Sequence, residues 1–119
     1  MRVLYLTPGC FDKGGVSRYT RYQIRAWREI LGNENVQVLS LLGPDAESIE
    51  EHFNVDWYGG RVSLRTKALL TARAFVGALR GRADIVHAAH LSFSSIAHAA
   101  ASLVGGLSLV NVYGWEVWT

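Results

Sequence analysis

Cysteine and proline are nearly missing from this chain: Cys10 is the sole cysteine and Pro8 and Pro44 are the two prolines in 119 residues. One cysteine excludes an internal disulfide and fits a reducing compartment. Long apolar runs are missing too, so no membrane-spanning helix is expected. Arg2 leads straight into an apolar strand with no small-residue cleavage site behind it, so no signal peptide is read. Charge of one sign is not in excess: the net +2 is too small to argue for nucleic acid. No nucleophile elbow or Ser-His-Asp order occurs. The first strand is followed by Thr7-Pro8-Gly9 rather than an acidic pair, which excludes phosphate-receiver chemistry. The expectation is a cytoplasmic protein whose membrane contact, if any, is peripheral.

Half the residues are hydrophobic and 18% are charged, the balance of a well-packed globular chain. The length fits a single domain over residues 1–119. The sharpest stretch is the first thirty residues. Arg2-Val-Leu-Tyr-Leu-Thr7 reads as a buried strand closed by Pro8-Gly9. The pair Gly14-Gly15 then opens a helical pattern from Val16 to Leu31. A glycine pair at a helix start leaves the first amides uncovered, and with the helix dipole they make an anion site. The alternative is that the glycines only shape a turn. The loop is not a P-loop, because Gly15 and Val16 stand where that motif needs Lys and Ser/Thr. Nor is it the dinucleotide fingerprint: G-x-G-x-x-G is absent, and the second strand ends Leu41-Leu42-Gly43 with no acidic residue.

The first helix is expected to bury Val16, Tyr19, Trp27, Ile30 and Leu31 and to expose Arg18, Arg21, Arg25 and Arg28. Arg18, in the first turn, is within reach of a phosphate held at the glycine pair. Asn35 to Leu41 reads as a second strand, an acidic turn carries Glu47, Glu50 and Glu51, and Asn54 to Tyr58 reads as a third strand. The second long helix, Ser63 to Arg80, is expected to bury Leu64, Ala68, Ala72, Phe75 and Leu79. Between Arg61 and Arg82 there are six basic residues and no acidic one. Arg61, Arg65, Arg73 and Arg80 flank Leu69 and Val76. That is either a membrane-surface face or the basic back of an ordinary helix. Asp84 to His87 reads as a fourth strand, Ala88 to Leu103 as a helix ended by Gly105-Gly106, and Leu107 to Tyr113 as a fifth strand.

Strands alternating with helices predict an α/β, Rossmann-like, doubly wound parallel sheet with helices on both faces. Right-handed crossovers give five strands in the order 3-2-1-4-5. Ligands in such sheets bind beyond the carboxyl ends of the strands. The glycine loop, His87 and His90, and Tyr113, Gly114 and Glu116 all follow strand ends there. His90 suits a hydrogen bond to a ligand or to backbone, and His87 is also readable as a satisfied strand residue. A metal site is not expected, because no cysteine or carboxylate stands near the histidines.

Three segments taken together resemble a known family. Val3-Leu-Tyr-Leu-Thr-Pro8 leading to Gly14-Gly-Val-Ser-Arg-Tyr19 is similar to the start of the group 1 (family 4) retaining glycosyltransferases. Ala83-Asp-Ile-Val-His87 with the following Ala-Ala-His-Leu-Ser resembles their fourth strand, and Val110-Asn-Val-Tyr-Gly-Trp-Glu116 their fifth. The resemblance implies the N-terminal, acceptor-side half of a two-domain GT-B hexosyltransferase. Such an enzyme transfers a sugar from a nucleotide-sugar to a glycan or lipid-linked acceptor with retention. It implies that Gly14, Gly15 and Arg18 face the donor diphosphate, and that His87 or His90, with Tyr113, Gly114 and Glu116, contact the acceptor or the sugar. The nucleotide-sugar would be a substrate, and no cofactor is implied. Peripheral membrane binding by basic surfaces of this domain goes with lipid-linked acceptors.

The sequence departs from the family pattern in three places. Tyr113 stands where histidine is usual, two alanines separate His87 from His90 where one residue is common, and the paired glutamates of the donor domain have no counterpart. The chain alone is therefore expected to be inactive, and an apolar fifth strand at the sheet edge is expected to favour dimers. The other reading is a non-catalytic interaction or phosphate-binding module on the same fold.

Overall fold

The computed structural model describes residues 1–7, 15–42, 56–59 and 64–111. The elements are β1 (Val3–Thr7), α1 (Gly15–Leu31), β2 (Val36–Leu42), β3 (Asp56–Gly59), α2 (Leu64–Gly81), β4 (Ile85–Ala88), α3 (Ser94–Val104) and β5 (Leu107–Val110). Short 3-10 turns at Asn33–Asn35 and Leu91–Phe93 lead into β2 and α3. The acidic turn at Glu47 to Glu51, Arg61 and the stretch from Val112 to Glu116 lie outside the described residues.

The chain is α/β with a parallel sheet, as the alternation of elements requires. Strands β2, β1, β4 and β5 pair side by side, and the short β3 adds outside β2, giving the order β3-β2-β1-β4-β5. In β1, Tyr5 is level with Val38 of β2 and His87 of β4. β1 is buried along its whole length because neighbours flank it on both edges and helices cover both faces. Leu4 and Leu6 join Leu39, Val86 and Ala88 under α2 and α3, while Tyr5 joins Val36 and Val38 under α1. That division is the two-residue alternation of a strand.

The two long helices bury stripes that differ from those their sequences suggested. In α1 Thr20 and Ile24 are buried and Trp27 and Leu31 are half-buried on the same side, whereas Tyr19 is 49% and Ile30 73% exposed. Arg21, expected on the solvent face, is buried. In α2 the sheet side is Thr66, Leu70, Ala74, Gly77 and Ala78, and the expected core residues Ala68, Ala72 and Leu79 are exposed. The cause is close approach: a Cβ at Gly77 would stand 3.0 Å from the Gln37 amide oxygen, so small residues must face the sheet. The third helix begins at Ser94, not at Ala88. Ala88 is still strand, and the Ala89 amide continues the ladder by donating to the Leu6 carbonyl at 2.7 Å.

Two glycines close α3 onto β5. Gly105 takes the left-handed conformation (φ 69°) that ends a helix, and the Gly106 amide donates to the Ala101 carbonyl. A Cβ on Gly106 would lie 2.8 Å from the carbonyl oxygens of Ala83 and Asp84, both backbone. Gly106→Ala is therefore expected to cost about 1–3 kcal/mol by forcing β4 and β5 apart. Gly81→Ala, where a Cβ meets nothing within 4 Å, should be neutral or stabilise by up to about 1 kcal/mol. Urea unfolding of the two variants side by side checks this, since equal losses would contradict the contact geometry.

Candidate functional site at the carboxyl edge of the sheet

The carboxyl ends of β1, β4 and β5 gather Thr7, Ala88 and Val110 at one edge, and α1 begins there with Gly15. Gly14, Tyr113, Gly114 and Glu116 lie outside the described residues, so of the expected site the structure describes Gly15, Arg18, His87 and His90. Arg18 is exposed and turned along its own helix: its Nε donates to the Tyr22 hydroxyl at 3.0 Å, and its guanidinium lies 5.7 Å from the Tyr22 ring centre. In this arrangement it points one turn away from the helix start.

The two histidines have different surroundings. His90 is half-buried at the edge, in extended conformation just after β4. Its Nδ1 accepts from the Ser92 amide at 3.1 Å and lies 2.9 Å from the Ser92 hydroxyl. That bond caps the turn leading into α3 and fixes the ring at the rim. His87 is 6% exposed, and both of its ring nitrogens are engaged.

His87 is the centre of a polar cluster that the sequence pattern did not reveal. The Trp27 indole N–H donates to its Nδ1 at 3.0 Å, which leaves Nε2 to carry the proton and donate to the Asn111 side-chain oxygen at 2.9 Å. Asn111 and Gln23 then pair amide to amide: Gln23 Nε2 donates to Asn111 Oδ1 at 3.2 Å, and Asn111 Nδ2 donates to Gln23 Oε1 at 2.6 Å. The Tyr5 hydroxyl donates to the same Gln23 oxygen at 2.7 Å. The Tyr5 ring meets the His87 ring edge-on, with centres 4.8 Å apart. All of these bonds are compatible with one assignment of protons. The signal available in the sequence was the spacing of Gln23 and Trp27, one helical turn apart, above two polar strand residues. Nothing in the sequence says that Asn111 comes back to meet them.

Burial pushes the His87 pKa below its ordinary value, and the Asn111 hydrogen bond only partly opposes the shift. A proton on Nδ1 would also face the indole N–H, donor against donor. Among the described residues no group of three or more His, Cys, Asp and Glu side chains stands close enough to hold a metal ion. The long helix α2 turns Leu69, Ala72, Val76 and Leu79 to solvent, with Arg65 and Arg80 exposed beside them and Arg73 half-buried. No helix among the described residues is long and apolar enough to cross a membrane.

No protein-family model matches the chain, and no curated protein matches it either.

The histidine geometry fixes a pH dependence. The folded chain resists protonating His87, while the unfolded chain takes up that proton near the ordinary pKa of 6.5. This part of the stability is complete above about pH 6.5 and is lost as pH falls below it. The unfolding midpoint should therefore drop as pH falls below about 6.5. His87→Gln should be less stable at pH 8 by about 1–3 kcal/mol, through the orphaned Trp27 and Asn111 partners, yet show a flatter acid slope. Parallel slopes for the two proteins would show that His87 is not the group responsible.

Proposed function

We propose that this chain is the acceptor-side, Rossmann-like domain of a retaining glycosyltransferase of the GT-B type, acting on a nucleotide-sugar and a glycan or lipid-linked acceptor. The observation that supports the reading most is positional. The described parts of the three segments that resemble the family, namely Gly15 at the start of α1, His87 to His90 at the end of β4, and Val110 with Asn111 at the end of β5, lie at one edge of the sheet. That is where parallel α/β sheets bind ligands. In this reading the amides opening α1 face the donor diphosphate, which gains negative charge as the bond to the sugar breaks. The helix dipole and uncovered N–H groups stabilise that charge without reorganisation. His90, held at the rim by Ser92, meets the sugar or the acceptor. His87 supports the floor of the site through Trp27 and Asn111. Tyr113, Gly114 and Glu116 follow Asn111 in sequence.

The test is sugar transfer by the protein as its gene encodes it, with labelled nucleotide-sugars offered in turn. Transfer with retained anomeric configuration is expected. Gly15→Val should lower kcat by about tenfold or more through crowding at the diphosphate, and His90→Ala should chiefly raise the KM for acceptor. Neither transfer nor hydrolysis of any nucleotide-sugar, with NAD or ATP bound saturably instead, would overturn the reading in favour of a phosphate-binding module.

The outer face of α2 favours a lipid-linked acceptor. Its exposed apolar line with flanking arginines fits an anionic bilayer surface. Sedimentation with vesicles should show binding that rises with anionic lipid and is lost in the Arg65→Glu, Arg73→Glu double variant. Equal binding to neutral vesicles, or none at all, would remove the membrane from the picture.

A further inference from the structure

The two faces of the sheet are covered unequally. Under α2 and α3 the described residues bury thirteen side chains in one apolar cluster, among them Leu4, Leu39, Leu70, Val86 and Phe93. Under α1 they bury five: Tyr5, Ile24, Val36, Val38 and Ala89, with Trp27 and Leu31 half-buried beside them. Among the described residues, Ile24 is the one apolar side chain that α1 itself buries. Burial stabilises roughly in proportion to apolar area, so packing holds α1 far less than it holds α2 and α3. The polar cluster around His87 therefore carries a larger share of its seat. Glycine stands at both ends of the helix. Gly15 opens it, and Gly32, in the left-handed region at φ 89°, turns the chain towards β2. Such positions absorb a change of direction without distorting the elements beside them.

The bond that seats α1 tolerates one protonation state. Nδ1 of His87 accepts from the Trp27 indole, and Nε2 carries the proton directed at Asn111. An added proton has only Nδ1 to go to. There it meets the indole N–H, and two donors face each other. The groups set against His87 among the described residues are Tyr5 on β1, Trp27 on α1, Leu109 level with it on β5, and Asn111. None of these carries negative charge, and the one that titrates, the Tyr5 hydroxyl, is a neutral donor to Gln23. The helix itself carries Arg18, Arg21, Arg25 and Arg28 against Glu29 alone, so the new charge appears beneath a basic element.

We infer that α1 is a latched layer: neutral His87 keeps it seated, and a proton on His87 Nδ1 releases it from the sheet while α2 and α3 stay packed on the other face. The proton comes from solvent, and no covalent bond changes. Release breaks the bond from Trp27 to His87 and those joining Gln23 to Tyr5 and Asn111, and it turns Ile24 and Tyr5 to water. A detached helix of 17 residues is marginal in water, so its backbone bonds loosen together with its seat. The helix start at Gly15 leaves the carboxyl edge of the sheet with it, so acid takes the candidate site apart before the fold is lost. The latch does not depend on which ligand that edge takes.

Hydrogen exchange read by mass spectrometry, on the protein as its gene encodes it, tests the latch. The pH series runs above and below 6.5, and rates are corrected for the intrinsic pH dependence of amide exchange. Peptides from α1 should be less protected than peptides from α3 at every pH, because α1 opens without the rest unfolding. Below about pH 6.5 the opening of α1 should become more populated, by up to about tenfold per pH unit, the limit set by one proton. In His87→Gln that dependence should vanish. Trp27→Phe removes the indole donor and should loosen α1 already above pH 6.5, which keeps the test open if the His87 variant does not fold. Equal protection of α1 and α3 at every pH would overturn the inference, since both faces would then open only together. So would α1 protection that does not change with pH, the full pH dependence in a folded His87→Gln variant, or wild-type protection of α1 in a folded Trp27→Phe variant.

Discussion

The structure depends most on one part-buried hydrogen bond, from the Trp27 indole to His87 Nδ1. It decides which nitrogen of His87 carries the proton. That proton decides which end of Asn111 turns inward, and Asn111 in turn sets Gln23 and Tyr5. Four parts of the fold meet in the cluster: β1, α1, β4 and the residue after β5. A half-satisfied cluster at this position would cost more than an apolar one, so its members act as a unit. Stability, the seating of α1 and the placing of the chain after β5 are tied together through it.

That tie bears on the candidate site. The cluster includes His87 in β4 and Asn111 just after β5, so it holds the described part of the edge beyond these strands. His87 is spent on this support, while His90, three residues later, stands at the surface with its ring fixed by Ser92. Two histidines close in sequence thus divide into one that holds the fold and one that faces the edge. The division comes from the pleat of β4 and its ending at Ala88.

The helices show how far patterning goes. From sequence α2 is expected to bury Leu64, Ala68, Ala72, Phe75 and Leu79 and to leave Leu69 and Val76 outside. The sheet instead takes Leu70, Ala74, Gly77 and Ala78, with Phe75 partly buried against the same core, and Leu79 joins Leu69 and Val76 outside. In α1 the aromatic Tyr19 and Tyr22 are similarly exposed, and Ile24, with no measurable exposure, is the anchor. A hydrophobic residue at helical spacing shows that a face exists. Which of two faces meets the sheet is set by the distance between the layers.

The sequence by itself determined the α/β class, the alternation of strands and helices, the parallel sheet, and the glycines that end α3. Each of these is local or periodic: an apolar run closed by Pro8-Gly9 or Gly43-Pro44, a repeat near 3.6, a glycine where φ turns positive. It also pointed to the edge where β1 and β4 end, since parallel strands put all their carboxyl ends together. Only the tertiary structure decided that Asn111, 88 residues from Gln23, completes the cluster around His87. It likewise decided that Arg21 is buried, and which stripe of α2 faces the sheet. Those outcomes depend on which side chains from distant segments reach one another across layers a few ångströms apart, and no periodicity along a single segment carries that information.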